Sequence, residues 1–444
     1  MTQKRNIRVK DFMNSDFKAF SLYDNVRSIP DIRDSFKPSQ RKAVWGMLAR
    51  GENAGEIPVE RLAAQFAAAT DYHHGTGSLE QTIIGMANNY PGTNNVNVFE
   101  PSGQFGSRLT KEASSARYVM SRFSENFRKV FKKEDDMILH NLMSDDMKIE
   151  PECFIPVIPL LLVNGAQGTG TGHACVIMNY NPADIKETVM QVVNGKKLKA
   201  GTLVPWYNGF KGTISRNSDT GQVIIEGAYK IVNTSTIRVT ELPIGMYLDQ
   251  YKEHLNKLED TGVIKDFEDR STEEGFDFTL NVPRLTTSLS HEQLMTKLKL
   301  YSRDTENFTV WDVDGTLKRF ESAEDVIAAW VPWRLERYEE RRLKLIELTE
   351  EQVRFMSEKL RFILFYLKNV DAFKNKKKAD LIQLLTDNKF VDHDKLLSMP
   401  IWNLTHDKIE ELKKEIGDSQ DYLKTLKADS SDKMFERELK EFKV

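Results

Sequence analysis

The stretch SSARYVMSRF, Ser114 to Phe123, sets an arginine and a tyrosine directly after four tiny residues, Ala113 to Ala116. Small neighbours leave the Arg117–Tyr118 pair room to meet something large. A free phenol titrates near ~10 and is a poor nucleophile at neutral pH. A guanidinium beside it would stabilise both the phenolate and a pentavalent phosphorane. Arg117 is adjacent, and Arg108 and Arg122 are near in sequence, so the pair suits covalent phosphoryl transfer. An Arg-Tyr dipeptide is also ordinary surface chemistry, and alone it decides little. Downstream, Val119, Phe123, Phe127 and Phe131 recur every four residues. That spacing predicts an amphipathic helix starting near the motif, capped by Ser114 or Ser115.

Upstream, KPSQRKAVWGMLAR begins with a helix-compatible Pro38 and places Ala43, Val44, Met47 and Leu48 on one face. VERLAAQFAAAT reads as a second helix. After the turn DYHHGTG, SLEQTIIGMANNY reads as a third, with Leu79, Ile83 and Ala87 in register. Helix, glycine turn, helix is the helix-turn-helix pattern of DNA-binding domains. Net charge is −3, but residues 1–50 hold eleven Lys/Arg against five Asp/Glu, and residues 101–133 hold eight against two. A local basic excess is the footprint of a phosphate-backbone binder.

The middle alternates apolar and polar residues in the manner of strands: GTISRN, GQVIIEGAYKIV and TSTIRVTELP. FIPVIPLLLVNG reads as an apolar strand, and FTVWDVDGTLKRF as a hairpin about Asp314-Gly315. From Arg334 to Asn369 there is neither Gly nor Pro. Such a run makes a helix of ~54 Å, and its apolar stripe needs a partner helix. THDKIEELKKEIGDSQDYLKTL can return antiparallel after KKADLIQLL…KLLSMPIW. Cys153 and Cys175 form no CxxC, which argues against a zinc site or a disulfide scaffold. No apolar run approaches the ~20 residues of a membrane span, and the N-terminus lacks a signal-peptide core.

Other motifs carry less. His73 and His74 are adjacent, with no carboxylate at metal-ligand spacing; one imidazole at a helix start suits a phosphate or an oxygen. GAQGTGTGHA, Gly165 to Ala174, fits neither a Walker loop nor GxGxxG, though its glycines permit close backbone approach, for example to DNA. Asp312 to Gly315 lacks further metal ligands and reads as a turn.

The order of the blocks is more specific than any one of them. RSIPDIRDSFKPSQRKAVWGML, AQFAAATDYHHGTGSLEQTIIGMA, EPSGQFGSRLTKEASSARYVM, PVIPLLLVNGAQGTGTG and LLSMPIWNLT run from residue 27 to 405. In that order they resemble the breakage-reunion subunits of type IIA DNA topoisomerases, and among these the medium subunits of T-even-type bacteriophage enzymes. YHHG and ARY look closer to the eukaryotic branch than to bacterial gyrase. The resemblance implies an α+β multidomain fold. It would hold a winged-helix DNA-binding domain with the nucleophilic tyrosine (1–150), an α/β tower domain (151–325), and a long antiparallel coiled coil with a helical dimerisation or exit-gate domain (326–444).

It also implies roles for residues. Tyr118 matches the tyrosine that joins the DNA 5′ end, and Arg117 and Arg27 match arginines at the scissile phosphate. His74, with His73 beside it, matches a histidine that positions or deprotonates the reacting oxygen. Lys37, Arg41 and Lys42 fall in the DNA groove, and Gln104, Arg108 and Thr169 are further DNA-binding candidates. No metal site is expected in this chain. The sequence shows no GHKL ATPase signature and no TOPRIM EGDSA/DxD pair, so Mg²⁺ and ATP are expected on partner subunits of the same topoisomerase. The other partners expected are double-stranded DNA and a second copy of the chain. The expected location is the cytoplasm, that of the host cell for a phage protein.

Two positions depart from the pattern. Thr169 stands where relatives have a DNA-bending isoleucine, and Gly77 and Gln81 stand where bacterial relatives hold quinolones with a serine and an acid. Two rival readings remain: a non-catalytic DNA-binding scaffold on the same domains, and a metal nuclease using His73 and His74.

Overall fold

Around the SSARYVMSRF stretch, three helices pack on a three-stranded sheet. The computed structural model describes residues 7–217, 220–400 and 406–443. The chain divides into two compact units, residues 1–334 with 438–444, and residues 335–437. The segments predicted separately as 1–150 and 151–325 share the first unit.

Helices α1 (Val9–Asn14) and α2 (Asp16–Ser28) lead to α3 (Pro38–Arg50), which has the predicted proline in its first turn. α4 (Val59–Ala69) and α5 (Thr76–Ala87) follow. Their buried faces are those the periodicity marked: Ala43, Val44 and Met47 on α3, and Leu79, Ile83 and Ala87 on α5. Gly46 lets α3 close on α4, because a Cβ there would run into the Phe66 ring. Strands β1 (Ile57–Pro58), β2 (Phe99–Ser102) and β3 (Met120–Phe123) pair antiparallel in the order β1-β3-β2, completing a winged helix.

The helix predicted after Tyr118 is not there. Met120–Phe123 is a strand, paired residue for residue with β2 (Phe99 with Phe123, Ser102 with Met120), and only Phe127–Val130 (α6) is helical. The aromatic spacing is nonetheless used: Phe123 stacks on Phe127 at 3.9 Å, and Phe127 contacts Phe131 at 5.5 Å. A ladder of rings runs through strand, turn and helix. Cross-strand pairing outweighs the local helical period.

After the hairpin of β4 (Asn141–Ser144) and β5 (Met147–Pro151), the supposed strand in FIPVIPLLLVNG is a helical turn, α7 (Leu160–Asn164). Leu160 to Val163 are all buried, and a short run buried on every side carries no period to tell helix from strand. β6 (Ala166–Gly170) and β7 (His173–Ile177) form a hairpin from GAQGTGTGHA. Its glycines approach protein: a Cβ on Gly168 would strike the Ser28 carbonyl oxygen, and one on Gly170 the Asn25 amide. The hairpin is thereby seated on α2.

α8 (Pro182–Val193) is capped by the Asn181 side chain, which accepts from Ala183 N at 2.8 Å. The predicted strands appear as β8 (Thr213–Arg216), β9 (Val223–Glu226), β10 (Ala228–Asn233) and β11 (Thr236–Glu241). α9 (Leu248–Asp260), β12 (Asp266–Asp269), β13 (Phe278–Asn281), α10 (Arg284–Thr287), α11 (His291–Lys297) and β14 (Tyr301–Asp304) complete this α/β tower. Its sheets run β10-β11-β13-β12 and β14-β9-β8. Ile237, Val239, Phe278 and Leu280 face Tyr251 and Leu255 of α9 in one core. β15 (Phe308–Trp311) and β16 (Leu317–Phe320) are the predicted hairpin.

The long helix α12 (Ala323–Lys368) has 46 residues and begins before Pro332 rather than after it. A proline inside a helix costs ~3 kcal/mol. Here the flanking Trp330 and Trp333 are buried, and Arg334, fully buried, donates to Asp135 at 2.7 Å and to the Pro156 carbonyl at 2.9 Å. In the second unit, α13 (Val370–Phe373), α14 (Lys378–Asp387) and α15 (His393–Leu397) gather Phe362, Leu385, Phe390 and Leu396 into a small core. α16 (His406–Ala428) returns antiparallel along α12. Lys427 pairs with Glu350, while Ile409 and Leu412 pack with Met356 and Ile363. α17 (Ser431–Glu441) follows. Residues 401–405, the end of the LLSMPIWNLT block, lie outside the described residues.

Candidate active site

Tyr118 is displayed, not packed: it is 72% exposed at the end of the loop between β2 and β3. Its N–H donates to the Ser115 carbonyl at 2.8 Å, a turn that the small residues allow. Val119, 1% exposed, anchors the turn in the core. The Ala116 and Val119 carbonyls accept from Glu60 N and Val59 N, so the same loop caps the start of α4. Arg117 lies over the Tyr118 ring, 5.3 Å from guanidinium carbon to centroid, and its Nε reaches Ser115 Oγ at 3.4 Å. An exposed phenol with a guanidinium on its face is the arrangement the sequence suggested.

Arg27 and His74 form a second cluster with a residue the sequence reading did not single out. Tyr23 Oη accepts from Arg27 Nη1 at 3.3 Å and lies 3.3 Å from His74 Nε2. Tyr23 and Arg27 are one turn apart on α2, a spacing visible in the sequence had α2 been recognised. His74 sits in the turn between α4 and α5, which Asp71 shapes with a left-handed backbone, φ 49°. Asp71 pairs with His73 Nε2 at 3.3 Å and accepts from Ser144 Oγ. The Ser144 hydroxyl, seconded by His73, holds the Asp71 carboxyl below the usual range. These groups border an open cavity of about 730 Å³.

The two clusters do not meet within one chain. Tyr118 stands at the start of α4 and His74 beyond its end, and eleven helical residues span ~16 Å. Among the described residues no hydrogen bond or ring contact joins Tyr118 to Arg27, His73 or His74.

The remaining candidates divide. Lys37 donates to the Gln167 carbonyl at 2.9 Å, beside the β6–β7 hairpin, and burial lowers its pKa. Gln104 is exposed on the loop bearing Tyr118 and accepts from Gly106 N at 3.2 Å. Thr169 is exposed on β6, opposite Ala174. Arg41, Lys42 and Arg108, expected to face DNA, are each paired with a carboxylate of the chain itself. Arg41 binds Asp34 through two hydrogen bonds (2.7 and 2.9 Å) and Asp31 at 3.0 Å. Burial opposes the Arg41 charge, and the two carboxylates more than offset it, so its pKa is raised. Lys42 pairs with Glu150 at 2.9 Å. Arg108 binds Glu241 and the Leu242 carbonyl, and burial lowers its pKa.

Among the described residues there is no cluster of three or more His, Cys, Asp or Glu side chains that could hold a metal ion. No helix there is long and apolar enough to cross a membrane. The Cys175 and Cys153 thiols are pushed up to about 12 by burial and are inert.

Comparison with known proteins agrees with this geometry. The family model for the A-type subunit of DNA gyrase/topoisomerase IV matches residues 27–441. DNA topoisomerase 2 of Plasmodium falciparum is 35% identical over 96% of the chain and 33% of its own length. That of Candida albicans is 35% identical over 88% of the chain and 27% of its own length. Both are eukaryotic, in keeping with the YHHG sequence. The chain therefore spans about a third of the length of these curated relatives. The crystal structure of the Plasmodium falciparum topoisomerase II DNA-binding, cleavage and re-ligation domain superposes with a TM-score of 0.91 and 35% identity, covering 97% of this chain and 63% of that one. With its winged helix, displayed tyrosine, tower and coiled coil, the chain belongs to the family of A-type gyrase/topoisomerase IV subunits, the breakage-reunion family of type IIA DNA topoisomerases.

Proposed function

We propose that this chain is the breakage-reunion subunit of an ATP-dependent type II DNA topoisomerase, of the kind T-even-type bacteriophages use, working in the cytoplasm as a homodimer on double-stranded DNA. The observation that carries the reading is the exposed Tyr118 phenol beneath the Arg117 guanidinium. The phenol oxygen attacks a backbone phosphorus, the bond to the 3′ oxygen breaks, and the 3′ hydroxyl leaves with a proton while the phenol loses its own. One phosphodiester replaces another, so resealing is the same exchange reversed and needs no ATP. Arg117 and Arg27 stabilise the phosphorane charge, and His74 takes or positions the phenol proton.

The length of α4 between Tyr118 and His74 favours a site built by two protomers, with Tyr118 of one meeting Arg27 and His74 of the other. Two such sites cut opposite strands, and the coiled coils hold the halves together while a second duplex passes. The proposal assigns Mg²⁺ and ATP to ATPase/TOPRIM partner subunits.

Denaturing gels after incubation with DNA, Mg²⁺ and the partner subunits test this. The enzyme leaves protein joined to 5′ ends at double-strand cuts; a scaffold leaves none. The purified chain alone should bind DNA yet cleave it poorly, and efficient Mg²⁺-dependent cleavage by it alone would refute the division of labour.

Two further results are expected from the departures. A threonine is a poorer apolar wedge than isoleucine, so Thr169→Ile should increase the DNA bend by ~20° or more. Energy transfer between dyes on the DNA ends measures this, and an unchanged angle would count against it. Gly77 and Gln81 are exposed one turn apart on α5, and Gly77 offers no hydroxyl. Fluoroquinolones should therefore trap cleavage only at doses at least about tenfold above those effective on gyrase. Trapping at gyrase-like doses would contradict this.

A further inference from the structure

We infer that Tyr23 is a positioning residue for DNA cleavage, which aligns Arg27 and His74 as one unit at the scissile phosphate; the inference rests on the function proposed above. Among the described residues Tyr23 is the one that bridges these two groups. Its oxygen takes a hydrogen bond from Arg27 Nη1 and lies at the same 3.3 Å from His74 Nε2. Arg27 also sits over the Tyr23 ring, 5.3 Å from guanidinium carbon to centroid. An arginine can only donate, so the Tyr23 oxygen is the acceptor in that bond. The same oxygen meets His74 Nε2, so one atom contacts both groups. The phenol thus ties the place of the guanidinium to that of the imidazole.

Among the described residues no other side chain joins these two groups. Arg27 and His74 are both exposed, and neither forms an ion pair among the described residues. His74 otherwise touches Tyr72 edge-on at 5.3 Å, a ring contact that does not reach Arg27. Tyr23 is 54% exposed and contributes little to the core, so an aromatic ring at this point of α2 has no packing reason to end in a hydroxyl. α2 itself is held firmly, through buried Asn25, which donates to the Thr171 carbonyl at 3.2 Å, and Asp24, which accepts from Thr171 Oγ1 at 2.6 Å. The bridge is therefore mounted on a fixed helix and reaches to a turn.

Tyr23→Phe keeps the ring and removes the bridge. In the complete complex it should bind DNA within about twofold of wild type and slow single-turnover cleavage about tenfold to hundredfold, the cost of a misplaced catalytic group. A double-mutant cycle separates positioning from structure. In a His74→Ala background, Tyr23→Phe should cost much less than it does alone, because the group it positions is gone. Wild-type cleavage rate in Tyr23→Phe would overturn the inference, and so would a loss that persists in full in the His74→Ala background. Should wild type itself form no adduct, the proposed function fails and not this inference alone. Circular dichroism and DNA affinity confirm that each variant is folded.

Discussion

Tyr118→Phe is expected to bind duplex DNA as wild type does and to form no covalent adduct, with cleavage reduced by at least about 10⁴-fold. The side chain is 72% exposed, so losing its oxygen disturbs no packing and no hydrogen bond in which that oxygen takes part. Arg117 keeps a ring beneath it. The loss would then be chemical, the removal of the attacking oxygen. A metal nuclease working through His73 and His74 would tolerate the change, so retained cleavage would revive that reading. Gel shift and denaturing electrophoresis on the same samples separate binding from bond breakage.

Asp34→Ala is expected to destabilise the unit built from residues 1–334 by about 3–5 kcal/mol, the cost of leaving a buried partner charge. The Asp34 carboxylate is fully buried. It accepts two hydrogen bonds from Arg41 and one each from the Phe36 and Phe154 N–H groups. Alanine would strand both amides and half of the Arg41 guanidinium. The same carboxylate fixes the loop from Ile29 to Lys37, so Arg27 before it and Lys37 after it would lose their relative placement. Urea unfolding followed by tryptophan fluorescence measures the effect through Trp311 and Trp330, which bond to Asn25 and Arg33 carbonyls at either end of this region. A change under 1 kcal/mol would show that the charge network is not what holds the loop.

What the sequence allowed to be read, and what it hid, follows from where each element obtains its stability. α3, α4 and α5 are amphipathic and end in glycine, proline or polar turns, so their period and punctuation were visible. The strands of the tower alternate against one core and were visible for the same reason. The stretch after Tyr118 misled because Phe123, Phe127 and Phe131 have a helical spacing, while the backbone at Met120–Phe123 pairs with β2, distant in sequence. The run Leu160–Val163 misled because it is buried all round.

At the site, Tyr118 and Arg117 were legible because they adjoin in sequence. The carboxylate partners of Lys42 and Arg108, Glu150 and Glu241, were hidden because they lie 108 and 133 residues away in sequence. Tyr23 was missed because its meaning depends on His74, fifty-one residues away.

The most direct measurement identifies the side chain joined to DNA. Cleavage by the full complex, stopped with denaturant and followed by nuclease and protease digestion, leaves one peptide carrying a nucleotide, and fragmentation mass spectrometry locates the bond. The account predicts a peptide spanning Ser114 to Phe123, with the 5′ phosphate of the nucleotide esterified to the Tyr118 oxygen. A nucleotide on Tyr23 or any other side chain, a linkage through the 3′ end, or cut DNA with no peptide attached would contradict it.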